Sequence, residues 1–478
     1  MELRDDGKLK SSFQKAFERS QNAIARKFVA GEDFSPKSIY DQSLFVEDDR
    51  SQHVYETTKP VINTNSDEPP QLDGFEDLTF PKLPEVQLSD FEVKVHYAGP
   101  MFDYGGYAKM NRVFIFGLRD LGALVKTCPM ESITNVNKRT EEALRQLSLV
   151  DVPKKYPKIF AMTIPDLLAH GGRKILYTMM ETSHHVHKEY ADRLNLADEI
   201  WTPTNWCKDV FKNSGVAAEI RVMPLGVDTE RYKPGIEPLK LGDRVRSFVF
   251  LSASGWSYRK GFDVLIRAYL EEFSNRDDVS LVISTRFSGS VSKKHKEKII
   301  ADFKCFREMV KKKDAELPHI ALHSSYIVEE DMPKLYSAAN CFILISRGEG
   351  WGLPYCESGA CEIPVIASDH GGQRDFLDDT NSYLVPPDSY FVSKISDPPF
   401  KNMSWISHFY ENQEFPDYNG SSFELVRKHM RYVYEHYGEA KEKAKLLRKR
   451  LVEKYNWENT ISLAYDRLKE ICKKVDGK

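Results

Sequence analysis

Glu349-Gly-Trp-Gly-Leu-Pro-Tyr-Cys-Glu357 sets two carboxylates eight positions apart around a Gly-Trp-Gly turn. The apolar run Asn340-Cys-Phe-Ile-Leu-Ile-Ser346 before it reads as a strand, and Pro354 to Glu362 after it as a helix. Pro354 suits a first helical position, where its missing N–H costs nothing. Strand, glycine turn and helix start leave free backbone N–H groups and a partial positive charge, a setting that favours phosphate. Carboxylates beside a phosphate would repel it, so these two are expected to accept hydrogen bonds from hydroxyls. Phosphate together with many hydroxyls is the chemistry of a nucleotide sugar.

The same run closely resembles the donor-site signature of the family 4 retaining glycosyltransferases. The stretch Cys361-Glu-Ile-Pro-Val-Ile-Ala-Ser-Asp-His-Gly-Gly372, read as helix end, short strand and glycine loop, strengthens the likeness. The resemblance implies a GT-B fold: two Rossmann-like, doubly wound parallel-sheet domains facing across a cleft. It implies that Glu349 lies against the transferred sugar and that Glu357 grips the ribose hydroxyls. Gly350, Trp351, Gly352 and Leu353 would line the donor. Lys260, in Arg259-Lys-Gly261, matches the position whose ammonium meets the diphosphate. Many family members carry a further Arg just after the preceding strand, where this chain has Ser252-Ala-Ser-Gly-Trp256; the second cation is then Arg259, Arg286 or absent.

Outward from this core, strands alternate with helices, which implies parallel, doubly wound sheets. The run Phe91-Glu-Val-Lys-Val-His-Tyr97 alternates like a strand. It leads through Ala98-Gly-Pro-Met-Phe-Asp-Tyr-Gly-Gly-Tyr-Ala108 into a helix ending near Leu118. By resemblance this loop faces the donor phosphate, which nominates Gly105 and Gly106. Further strands are expected at 158–162, 174–179, 247–252, 279–284 and 320–323, and Ile220-Arg-Val-Met-Pro-Leu-Gly-Val-Asp228 resembles the family's hinge entry. A helix entered at Thr204 or Asn205 follows a strand near Ile200. Glu181-Thr-Ser-His-His-Val-His187 follows a strand on the cleft side, so Glu181, His184 and His185 are rivals for contact with the sugar or the acceptor. Tyr326 is a candidate to border the base. Residues 387–422, rich in Pro, Asp, Asn and aromatics, read as a long ordered loop, and helices are expected over 423–452 and 461–473. The expected division is an extension and linker at 1–90, an acceptor-side domain at 91–240, a donor domain at 241–455 and a helix at 456–478 crossing back to the first domain.

Composition narrows the class. Hydrophobic residues make up 41% and aromatics 12%, enough for real cores in a chain of 478 residues. A net charge of −3 argues against general nucleic-acid binding. The charged start Met-Glu-Leu-Arg-Asp-Asp carries no apolar signal core, and no apolar run nears the ~20 residues of a membrane span. Seven scattered cysteines suit a reduced, cytoplasmic protein. Phe13, Phe17, Ile24 and Phe28, interleaved with Lys and Arg over 8–28, pattern as a basic amphipathic helix that would contact a membrane surface or a polyanion.

With no Asp-x-Asp metal motif placed after a strand, the departing diphosphate is expected to be neutralised by cationic side chains and helix N-termini, without a metal cofactor. The resemblance implies transfer of a sugar from a nucleotide diphosphate sugar, UDP-sugar by family frequency with GDP- and ADP-sugars open, to a glycan, lipid or other hydroxyl acceptor. The anomeric configuration would be retained by a same-face reaction. The sequence presents no second carboxylate poised ~5 Å away for a double displacement. A nucleotide-sugar epimerase on the same fold and a non-catalytic sugar- or polymer-binding protein are the alternatives.

Overall fold

The computed structural model describes residues 87–103, 105–130, 136–163, 170–285, 293–323, 327–393 and 407–477. The basic segment 8–28, Arg286 and Tyr326 lie outside the described residues.

Six strands build the first sheet: β1 (Lys94–Gly99), β2 (Leu124–Pro129), β3 (Lys158–Ala161), β4 (Lys174–Tyr177), β5 (Glu199–Thr202) and β6 (Glu219–Val222). All pair in parallel, in the order 2-1-3-4-5-6. Both faces of such a sheet are covered, so its inner strands are largely buried, β1 and β5 completely. The helices are α1 (Gly106–Asp120), α2 (Lys138–Ser148), α3 (Lys188–Leu194) and α4 (Asn205–Asn213). Met110, Phe114, Ile115 and Leu118 give α1 its buried stripe. Thr204, not Asn205, caps α4, its hydroxyl accepting from the Cys207 N–H.

The second sheet holds β7 (Phe248–Ala253), β8 (Val279–Ser284), β9 (His319–His323), β10 (Cys341–Leu344), β11 (Val365–Ser368) and β12 (Tyr383–Val385). It too is wholly parallel, in the order 12-11-10-7-8-9, the arrangement of a dinucleotide-binding sheet. Its helices are α5 (Phe262–Glu272), α6 (Lys293–Glu308), α7 (Met332–Ser337) and α8 (Leu353–Ala360). Three more follow: α9 (Ser421–Glu435), α10 (Tyr437–Lys454) and α11 (Trp457–Val475).

Two segments depart from the sequence reading. The stretch expected to be one helix over 423–452 is two, α9 and α10, parted at His436, which leaves helical geometry. Residues 387–422 are not simply a loop. β13 (Ser389–Val392) pairs antiparallel with β14 (Glu414–Asp417), and Phe409, Tyr410 and Phe415 are buried in the first domain's core beside Phe160, Leu176, Tyr190 and Phe211. Four-residue strands separated by 21 residues, one holding Pro416, carry no sequence period long enough to detect.

The chain passes between the sheets twice, at one place. Val227 N–H donates to the Tyr455 carbonyl, and Val227 bridges Asn456 in parallel. A side chain on Gly226 would run into the backbone of Trp457. Beyond this crossing α11 lies on the first domain. Trp457 meets Phe114 edge-on at 6.0 Å, Arg467 pairs with buried Glu199 at 2.8 Å, and Gly117 leaves just the space that Ile461 occupies.

Candidate functional site

Ligands of open parallel sheets bind beyond the carboxyl ends of the strands where the strand order reverses. In the second sheet that point lies between β7 and β10, and the two loops leaving it carry the charged residues. Gly261, at φ +68°, lets the first loop press on the second: a side chain there would strike the Ile345 carbonyl. Arg347, fully buried, then stitches the loops together. Its N–H donates to the Arg259 carbonyl at 2.6 Å, and its guanidinium holds Asp263 in a fork at 2.8 and 2.7 Å. It also donates to the Tyr258 carbonyl and stacks on the Tyr258 ring at 3.8 Å.

That scaffold brings Lys260 Nζ to 2.5 Å from Glu349 Oε1, with Arg259 3.5 Å from the same oxygen. Burial opposes the Glu349 charge, but Lys260 and Arg259 outweigh it and hold the carboxyl below its usual range. Arg259 also donates to the Gly348 carbonyl and stands 3.5 Å from Glu181 of the first domain. Of the three rivals in the 181–187 stretch, Glu181 is therefore the one tied to the charged centre. His184 turns to Glu414 of the ribbon, at 2.8 Å. His185 is exposed and meets the Asn213 carbonyl at the end of α4, away from the charged cluster's contacts.

Glu357, in the second turn of α8, is 7% exposed and has both oxygens engaged. One accepts from the Tyr336 hydroxyl at 2.8 Å and the other from Lys109 Nζ, also at 2.8 Å. Lys109 belongs to α1 of the first domain, so this ion pair spans the cleft; Lys109 also approaches Glu329 at 3.2 Å. Lys109, Arg231, Tyr232, Glu329, Leu353 and Glu357 line part of a pocket of about 480 Å³ on the hinge side of this pair. Lys109 is absent from the sequence reading, although a cation in the first turn of a helix, where the macrodipole disfavours it, was a signal.

The glycines have separate roles. Gly348 and Gly350 sit against Glu181 and Met179 of the first domain, where a side chain would collide. The Gly350 carbonyl accepts from Thr204 at 3.3 Å and Cys207 at 3.6 Å. Gly352 begins α8 without a side-chain cap, and Leu353, not Pro354, is the first helical residue. Gly105 begins α1, likewise without a side-chain cap on the helix N–H groups, and Gly106 has open space around it. The Trp351 side chain is 1% exposed and packs on Phe376 and Tyr455 at 4.9 and 5.4 Å. The structure thus places the Trp351 side chain in the core beneath the turn.

At the carboxyl ends of β7, β8 and β9, Ser252 Oγ, Ser254 Oγ, Thr285 Oγ1 and His323 Nδ1 are buried with no hydrogen-bond partner among the described residues. Buried polar atoms of this kind are costly unless something satisfies them. They lie on the strands next to the Lys260 loop.

Residues 246–397 match the family model described as glycosyl transferases group 1. That stretch, which holds most of the second sheet and its charged loops, is a domain of the glycosyl transferases group 1. Similar to this chain is the alpha-monoglucosyldiacylglycerol synthase of Streptococcus pneumoniae, 27% identical over 37% of this chain and 38% of the relative. Another relative is the GDP-mannose-dependent alpha-(1-6)-phosphatidylinositol monomannoside mannosyltransferase of Mycolicibacterium smegmatis, 28% identical over 40% of this chain and 49% of its own length. The matches thus span less than half of either relative. Among solved structures, Anabaena HepE in complex with UDP superposes with a TM-score of 0.54 at 13% identity, covering 79% of this chain and all of that one. That likeness establishes the GT-B fold of both sheets.

Proposed function

We propose that this protein transfers a sugar from a nucleotide diphosphate sugar to an acceptor hydroxyl, retaining the anomeric configuration without a metal cofactor. The observation that carries the reading is the cluster of Lys260, Arg259 and Glu349 at the strand-order reversal of the second sheet. Two buried cations side by side are suited to the charge of a departing diphosphate, and the uncapped N-termini of α1 and α8 add backbone donors. With donor bound, Lys260 and Arg259 turn to the phosphates. Glu349, released from them, orients the sugar and stabilises positive charge at its anomeric carbon. The acceptor proton passes to the departing phosphate oxygen on the same face, so no protein nucleophile is required. Glu357 accepts the ribose hydroxyls in place of Lys109.

The unsatisfied Ser252, Ser254, Thr285 and His323 atoms offer partners for the nucleoside end. UDP is the proposed nucleotide, in keeping with the UDP complex of HepE; GDP is the rival, because one relative is named for GDP-mannose. A glycan or lipid hydroxyl is the proposed acceptor, both relatives being named for lipid-linked products or substrates. No helix among the described residues is long and apolar enough to cross a membrane. A peripheral contact through 8–28 is part of the proposal, as is a reducing, cytoplasmic setting, which the seven free thiols suit.

Proton NMR of the protein with UDP-, GDP- and ADP-sugars, beside Glu349→Ala, tests this reading. Slow release of one sugar as the α anomer, lost in the variant, is the expected result. A changed sugar still joined to its nucleotide would mean an epimerase, and neither binding nor turnover across the panel would overturn the donor site.

A further inference from the structure

The ribbon segment reaches from the second domain into the first and ends in the charged centre. Phe409 packs edge-on against Tyr190 at 5.3 Å and His187 at 6.1 Å, with Arg193 over its ring. Glu414 accepts the Ser183 N–H at 2.9 Å through its carbonyl and His184 at 2.8 Å through its carboxylate. Between these anchors lies Tyr410. The Ser393 hydroxyl and the Gln413 N–H both donate to its carbonyl, and its own hydroxyl donates to Glu181 Oε2 at 2.6 Å. The other oxygen of Glu181 is 3.5 Å from Arg259, which is 3.5 Å from Glu349. Burial keeps the Tyr410 phenol protonated, so the hydroxyl can only donate to the carboxylate.

We propose that Tyr410 is a positioning residue for sugar transfer: by holding Glu181 away from full contact with Arg259, it keeps that guanidinium available to the diphosphate. Among the described residues, two cations and two carboxylates meet at the centre, and their charges cancel. A leaving diphosphate needs both cations, and its charge grows on the way to the transition state. Glu181 without its tyrosine would close on Arg259 as a direct ion pair and withdraw half of that positive charge. The ribbon thus does more than pack: it hands the first domain's carboxylate to the second domain's arginine at a fixed distance. Because Tyr410 acts on Arg259 only through Glu181, removing the charge of Glu181 should cancel the effect of removing the Tyr410 hydroxyl.

The inference rests on the transferase reading, and the test separates the two. With the donor found by the NMR panel, turnover of the full chain is compared with Tyr410→Phe, Glu181→Gln and the double variant, each with its melting temperature. Tyr410→Phe keeps the ring that fills the core and removes only the hydroxyl. The expected result is kcat down about tenfold in Tyr410→Phe with KM and melting temperature little changed, kcat near wild type in Glu181→Gln, and a double variant restored to the level of Glu181→Gln. A Tyr410→Phe protein with wild-type kcat, or a double variant as slow as Tyr410→Phe, would overturn the inference while leaving the transferase standing. If Tyr410→Phe does not fold, Glu181→Gln decides alone, a kcat lowered about tenfold in it overturning the inference. A wild-type protein without turnover on any donor would instead overturn the transferase reading and this inference with it.

Discussion

On the second domain's side of the cleft, Lys260 and Glu349 stand on loops that Arg347 and Asp263 bind to each other within that domain. On the first domain's side, Lys109 and Glu181 find their charged partners across the cleft, on Glu357 and Arg259. The donor half therefore carries its geometry with it, whereas the other half acquires its geometry only when the domains meet. A reaction that must admit and release a nucleotide would need such a division: one wall preformed, the other completed by closure.

The sharpest way to break the comparison is Arg347→Met. It leaves the partly buried Asp263 with no cation in its fork, and loss of one partner of a buried pair costs up to about 3–5 kcal/mol. Thermal unfolding should register that loss, together with turnover lost because Lys260 and Glu349 are no longer held together. Full activity in this variant would mean that the donor loops keep their shape without the stitch.

The interface itself is probed by pH. His370, on the loop after β11, meets Ser183 of the first domain at 3.1 Å, and burial, aided by His184, lowers its pKa from 6.5 to about 4. Between those values the unfolded chain binds a proton that the folded one does not, so stability is full above pH 6.5 and falls as the pH drops toward 4. The shift corresponds to about 3 kcal/mol. His370→Gln, followed by denaturant unfolding across that range, should flatten the slope; an unchanged slope would place the titration elsewhere.

A smaller effect is expected at Gly117→Ala, which pushes against Ile461 and should cost about 1–3 kcal/mol, read as a lowered melting temperature. If the first domain depends on α11 as closely as its packing suggests, donor binding should weaken with it; unchanged binding would show that the two domains tolerate a loosened clasp.

What could be read from the sequence follows the same division. The donor half is local: β10, its loop and α8 are one continuous run, so Glu349 and Glu357 announce themselves with their surroundings. Lys260 and the strands β7, β8 and β9 were legible for the same reason. Arg347 was not, because its partner Asp263 is 84 positions away and each alone is an ordinary charged residue. Lys109 and Tyr410 meet Glu357 and Glu181 over separations of 248 and 229 residues, and no local period marks them. The two adjacent histidines drew attention by chemistry, yet the neighbouring Glu181 is the group joined to the centre. The burial of the Trp351 side chain was not legible, because an aromatic residue inside a ligand motif serves equally well as the core beneath it.

The clasp of α11 has a consequence for how the protein is made. Val95, Phe114 and Ile115 belong to a core that Ile461, Ala464 and Leu468 complete, and those three residues leave the ribosome only after the whole second domain has been synthesised. Domains ordinarily fold in the order in which they emerge. Here the domain that is translated first must wait with part of its apolar surface uncovered, and it is finished last.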